Sequence, residues 1–175
     1  MSGASEPAFS KRSIVALFIL LAACFAASAI GGALTRPNLD WYATLTKPGF
    51  APPNSVFPVV WSILYAMMAV AAWLVWRSRG DESDKKTALI WFGIQIAINV
   101  AWSFAFFFMQ RPDYGFGVIM ALLVAIVITL VLFAKVSRAG ALLLVPYLLW
   151  VGFAAGLNFT IWALNSGYDF SQAPS

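Results

Sequence analysis

The sequence contains no histidine and a single cysteine, Cys24. The missing histidine removes the commonest zinc and haem ligand and every Ser-His or Cys-His nucleophile pair. A lone cysteine rules out a disulfide within the chain. Charge is also scarce. Only 10% of the 175 residues are charged, against about 25% in a soluble domain. No Asp, Glu, Lys or Arg falls in Ser13–Thr35, Ser55–Trp76, Thr87–Met109, Tyr114–Ala134 or Ala139–Tyr168. Proton-coupled transport and ion pumping normally need ionisable groups inside the spans, and here only tyrosines and the Cys24 thiol are available. Hydrolytic chemistry lacks both a base and a metal.

What is present is apolar, at 62% of the chain. Each uncharged window is close to the ~20 residues needed to cross a ~30 Å hydrocarbon core. The runs are too long and continuous for barrel strands, which alternate over about 10 residues. Too few polar residues remain to coat a soluble core. The fold class expected is therefore an all-α integral membrane protein, a five-transmembrane-helix bundle, because in lipid each helix satisfies its own backbone hydrogen bonds. The helices are expected at 13–34, 56–76, 88–109, 114–134 and 141–165, within one domain spanning 13–165. A mobile segment, 1–12, precedes it and a polar tail, 166–175, follows.

Lys11-Arg12, an apolar run and Leu21-Ala22-Ala23-Cys24 also resemble a signal peptide ending in a lipidation site. The apolar run continues through Leu34, which favours a span over a leader. The basic residues sit at span ends rather than on a nucleic-acid surface. Lys11, Arg12, Arg77, Arg79, Lys85, Lys86, Lys135 and Arg138 fall on one side, and Arg36, Lys47 and Arg111 on the other, together the 11 Lys and Arg of the chain. That bias predicts a cytoplasmic N-terminus.

The segment 35–55 between the first two helices is long for a connection. It carries Trp41, Tyr42, Leu45 and Phe50, stiffened by Pro37, Pro48, Pro52 and Pro53. It is expected to fold as a lid over the outer end of the bundle; the competing reading is an interfacial segment with its aromatics at the headgroups. Of eight tryptophans, Trp73, Trp76, Trp91 and Trp162 read as interfacial anchors. Trp61, Trp102 and Trp150 lie inside spans. On the third helix Gly93, Ala97, Ala101 and Ala105 form a small-residue ladder suited to close helix approach, and hence to a two-fold dimer interface. On its opposite face Gln95, Asn99, Trp102 and Phe106 should look into the bundle towards Asn158, as interhelical glue or as ligand contacts. The second helix shows Trp61 and Tyr65 on one stripe, and the fifth shows Tyr147, Trp150, Ala154, Leu157 and Asn158. These aromatics and amides can converge under the lid as a small-molecule pocket.

Several ordered motifs carry a resemblance. Trp41-Tyr42, Leu45, Lys47-Pro48, Phe50, Pro52-Pro53, Val56-Phe57, Trp61 and Leu64-Tyr65 resemble the first loop and second helix of the translocator protein family, the tryptophan-rich sensory proteins or TspO/MBR (mitochondrial benzodiazepine receptor) family. Gln95, Asn99, Trp102 and Phe106-Phe107 are similar to its third helix. Pro146-Tyr147, Trp150, Phe153-Ala154 and Leu157-Asn158 are similar to its fifth. The resemblance implies a five-helix homodimer with a pocket under the first loop that binds protoporphyrin IX and related hydrophobic ligands, and no required cofactor. Carried over, the ligand-binding residues are Trp41, Trp61, Asn99, Trp102, Trp150, Ala154 and Leu157, to which the helix stripes above add Tyr65 and Asn158. The function implied is a tetrapyrrole sensor or receptor. The alternatives are a porphyrin transporter and a light-dependent porphyrin-degrading enzyme with Trp61 or Trp150 as electron donor. The animal cholesterol motif is absent, with Phe159 and Ala163 at its positions, which favours a bacterial-type envelope protein.

Overall fold

A computed structural model describes residues 10–167. Residues 1–9 and 168–175, most of the expected N-terminal segment and tail, lie outside the described residues. The described chain is helical: α1 (Lys11–Thr35), a 3₁₀ turn (Arg36–Asn38), α2 (Leu39–Thr44), α3 (Val56–Trp76), α4 (Glu82–Ser103) running into a π-helical turn (Phe104–Phe108), α5 (Pro112–Val136) and α6 (Arg138–Asn165). Five of these stretches are long and apolar enough to span a bilayer, with α1 to α2 counted as one. The protein is a five-helix membrane bundle.

The helix ends follow from local chemistry. Ser10 caps α1 by accepting from the Ser13 amide at 3.1 Å. α4 begins six residues before the expected 88. The Asp81 carboxylate accepts from the Ser83 and Asp84 amides at 2.8 and 3.3 Å, and Glu82 and Asp84 favour the positive helix start. The charged stretch expected as loop is thus the first turn and a half of a helix that protrudes from the apolar zone. α5 begins at Pro112, whose missing N–H costs nothing at a first helical position. Ser137 caps α6, accepting from the Gly140 amide at 3.2 Å.

Around the bundle the order is α1, α3, α6, α5, α4, with α4 closing back on α1. The N-terminal end is packed solid. Met68, Ala69, Ala71, Ala72 and Val75 of α3 are wholly buried, as are Ala88 and Phe133. A Cβ at Gly140 would stand 3.0 Å from the Ala71 carbonyl oxygen, so glycine is what lets α6 lie against α3 there.

The other end carries the lid, a folded segment as the sequence reading expects. About half of it is helical, and it is tied to the bundle. Asn165, at the end of α6, accepts from the Thr46 amide and donates to its carbonyl, both at 2.9 Å. Gln110 donates to the Asn38 side chain at 3.1 Å. Gln110 has φ 54°, an uncommon conformation for a non-glycine residue. It reverses the chain after the π turn, where the Arg111 amide reaches back to the Ala105 carbonyl at 3.2 Å.

Candidate functional site

Beneath the lid lies a cavity of about 320 Å³, at the lower end of the ~300–1,000 Å³ usual for small-molecule sites. Helix α3 supplies Phe57, Pro58, Trp61, Ser62 and Tyr65. From α4 and the π turn come Asn99, Trp102, Ser103, Phe106 and Phe107, and from α6 Ala154, Leu157, Asn158 and Ile161. The lid adds Arg36, Leu39, Tyr42 and Asn54. Of the expected ligand residues, Trp61, Tyr65, Asn99, Trp102, Ala154, Leu157 and Asn158 are brought together here.

Trp41 and Trp150 are not. Trp41 packs edge-on against Phe106 at 5.8 Å and belongs to the lid's own apolar cluster with Tyr42, Leu157 and Ile161. Trp150 packs on Phe57 at 5.9 Å and Phe153 at 5.4 Å, one ring behind the cavity wall. Its indole N–H is buried with no hydrogen-bond partner among the described residues. Helical spacing put Trp150 on the right helix. It lies just over one turn from Ala154, but its ring turns towards Phe57 and Phe153 rather than into the space.

The amides resolve into two hydrogen-bond sets. Deep in the bundle Tyr65 donates to Asn99 at 3.0 Å, Asn99 donates to the Tyr147 hydroxyl at 2.9 Å, and Tyr147 donates to Gln95 at 2.8 Å. Nearer the lid Trp102 donates to Asn158 at 3.0 Å, and Asn158 donates to the Pro112 carbonyl at 2.7 Å. Asn158 therefore meets the expected face of α4, and does so at Trp102; it sits closer to the lid, level with the start of α5. These bonds join α3, α4, α5 and α6 across the interior, each worth about 0.6 kcal/mol and at most about 1.7. Gly115 makes the second set possible. A Cβ there would meet both the Asn158 oxygen and Phe106 at 3.0 Å.

The polar groups of the wall that are left to meet a ligand include Trp61 and Arg36. The Trp61 N–H has no hydrogen-bond partner, and Arg36 has no ion pair, among the described residues. The other lid-end cations are occupied. Lys47 donates to the Ala43 and Leu45 carbonyls and lies 4.6 Å from the Tyr42 ring. Arg111 donates to both Asp113 oxygens at 2.8 and 2.5 Å, which pushes its guanidinium above the ordinary range.

The sequence missed the contribution of α1: Ser28, Gly31, Gly32 and Thr35 form a full wall. These residues are small and carry no aromatic or amide signal. Their only trace in the sequence is a run of short side chains in an otherwise bulky span. The small-residue ladder on α4 is also altered. Gly93, Ala97 and Ala101 face outward, but Ala105 is buried within the chain. The π turn begins at Phe104 and adds a residue per turn, which rotates Ala105 off the ladder.

The fold and cavity define a class: a polytopic helical membrane protein with a lidded, tryptophan-walled chamber. The TspO/MBR family profile matches residues 16–163. The chain is 41% identical to the tryptophan-rich protein TspO of Chlorobaculum tepidum over 89% of this chain and 99% of that one. It is 37% identical to the tryptophan-rich sensory protein of Cereibacter sphaeroides over 86% and 92%. It is 38% identical to the human translocator protein over 75% and 78%. The chain belongs to the TspO/MBR family of membrane sensor and translocator proteins.

Proposed function

We propose that the chain is a membrane receptor that binds a flat tetrapyrrole, with protoporphyrin IX as its ligand, in the cavity under the lid, and so senses tetrapyrrole or stress metabolism. The observation that carries this reading is one chamber walled by Trp61, Trp102, Tyr65, Phe57 and Phe106, with the Trp61 N–H and Arg36 unengaged. Aromatic faces stack on a flat macrocycle. An indole N–H and a guanidinium suit its carboxylates. No protein nitrogen ligand is needed for a metal-free ring. A volume near 320 Å³ is small for such a ring, so binding requires the lid or α1 to shift outward, or leaves one edge of the ring outside. Relatives named as sensory proteins and translocators are in keeping with a ligand-responsive membrane protein.

The test is titration of purified protein with protoporphyrin IX, followed by tryptophan quenching, in darkness and then under light. Saturable binding in darkness supports a receptor. Consumption of the porphyrin under light, lost in Trp61→Phe, assigns the degrading activity instead. No saturable binding removes the reading. Flux across vesicles distinguishes a transporter.

Two further features belong to this proposal. The N-terminus lies in the cytoplasm of a bacterial envelope, by the basic-residue bias. Two copies pair through Gly93, Ala97 and Ala101, which present a flat outward face on α4. Unchanged cross-linking in membranes after Ala97→Leu and Ala101→Leu would remove the second.

A further inference from the structure

We infer that the cavity is loaded from within the bilayer, through a lateral portal between α1 and α3, and that Arg36 at its rim selects amphiphiles bearing an anionic group. This rests on the binding reading above and adds to it a route and a selectivity element.

The two helices are fastened at one end only. Near the N-terminal end the Trp73 indole donates to the Ser13 carbonyl at 2.9 Å, and Cys24 and Ala27 are buried. Towards the lid α1 leans on α4 instead: a Cβ at Gly31 would lie 3.3 Å from the Ser103 hydroxyl. The cavity then separates α1 from α3, with Ser28, Gly32 and Thr35 facing Pro58, Trp61 and Ser62 across it. Pro58 and Ser62 are at once cavity wall and exposed surface, and Ser28 and Gly32 are half-buried. The chamber is therefore open on this flank.

The depth of that opening decides what meets it. Ser62 is six residues into α3 and Ser28 seven residues before the end of α1, so the gap runs about 9–10 Å down from the lid end at 1.5 Å per residue. That is well into a ~30 Å hydrocarbon core, so the opening faces acyl chains. The Ser62 hydroxyl donates to the Pro58 carbonyl at 2.8 Å, so its proton is spent within its own helix rather than turned towards lipid. The lid is the poorer route. It is held by the paired Thr46–Asn165 bonds, by Gln110 to Asn38, and by Tyr42 packing on Phe107 at 5.7 Å. Arg36 begins the 3₁₀ turn directly after α1, at the headgroup end of the gap. A ligand dissolved in the bilayer with its anionic group at the surface meets Arg36 first and slides its flat apolar body sideways between the helices.

The experiment uses full-length protein in phosphatidylcholine vesicles and follows protoporphyrin IX by tryptophan quenching in a stopped-flow instrument. Gly32→Leu and Ser62→Trp narrow the portal at exposed or half-buried positions that the fold does not need. Each should slow association by about tenfold or more. Joining Thr46→Cys to Asn165→Cys with a short bismaleimide, in a Cys24→Ser background, should leave the rate unchanged. Arg36→Gln should slow association by about five- to tenfold and shift the ligand preference towards the dimethyl ester. Loading that stops with the lid cross-link and ignores the portal substitutions would overturn the inference. If wild-type protein fails to bind protoporphyrin IX, the binding reading fails, and the portal is judged with a diazirine fatty acid in the same vesicles. Cross-links at Ser28, Gly32 or Ser62, reduced by Arg36→Gln, sustain it; labelling confined to the outer helix faces rejects it.

Discussion

The two ends of the bundle are built from the same five helices by opposite rules. At the N-terminal end small residues alternate with large ones and leave no room. Ala71, Ala72, Val75 and Ala88 are wholly buried, and Phe92 stacks on Phe133 at 5.9 Å with the ring planes inclined by 27°. At the lid end the large residues are set around a space, and the helices are held apart by side-chain hydrogen bonds and a docked lid. In lipid there is no water to expel between helices, so packing contacts and internal hydrogen bonds must hold the bundle together. The solid end supplies the contacts. The hollow end relies on the bonds, and so keeps a chamber open without falling apart.

Five substitutions, in four predictions, probe that division. The largest effect is expected at the solid end. Phe133→Ala should cost about 3–5 kcal/mol by leaving a cavity among fully packed neighbours, read as a fall in thermal unfolding temperature in detergent. Gly140→Leu should cost about 1–3 kcal/mol, because its first side-chain carbon meets the Ala71 backbone, which cannot rotate away as a side chain could. If both are tolerated as well as substitutions in the cavity wall, the two ends do not differ.

The third prediction separates two tryptophans that the sequence treats alike. Trp61→Phe should weaken protoporphyrin IX binding by about 1 kcal/mol through loss of an N–H that no protein group uses. Trp150→Phe removes a buried donor that has no partner among the described residues, so affinity should stay the same and stability should hold or rise slightly. Equal affinity losses in the two variants would place the ligand on the Trp150 side of Phe57. The smallest effect concerns the lid. Asn165→Ala breaks two exposed bonds to Thr46 and should change global stability by no more than about 0.5 kcal/mol, while hydrogen exchange at the Thr46 amide speeds up. A large loss of stability would make the lid part of the framework rather than a cover.

The spans and their number follow from the sequence alone, because the bilayer imposes a length and a polarity on any segment that crosses it. The second helix, 56–76, carries the same bounds in sequence and structure. So does the end of the fifth at Asn165. Boundaries set by capping were less legible. Asp81 extends α4 through charged residues that hydropathy assigns to a loop, since a cap acts through one hydrogen-bonding side chain and not through composition.

The site divides in the same way. Trp61, Tyr65, Asn99, Trp102 and Asn158 could be read from helical spacing, because a polar or aromatic stripe in a lipid-facing sequence must turn inward. Only the tertiary structure decided that Asn158 pairs with Trp102, that Trp150 turns away, that a π turn moves Ala105 inside, and that the short side chains of α1 make a wall and an opening. Those outcomes depend on how far apart two helices lie and how each is rotated. A few ångströms of separation are set by residues distant in sequence, Gly115 against Phe106 or Gly31 against Ser103, and no local pattern encodes that distance.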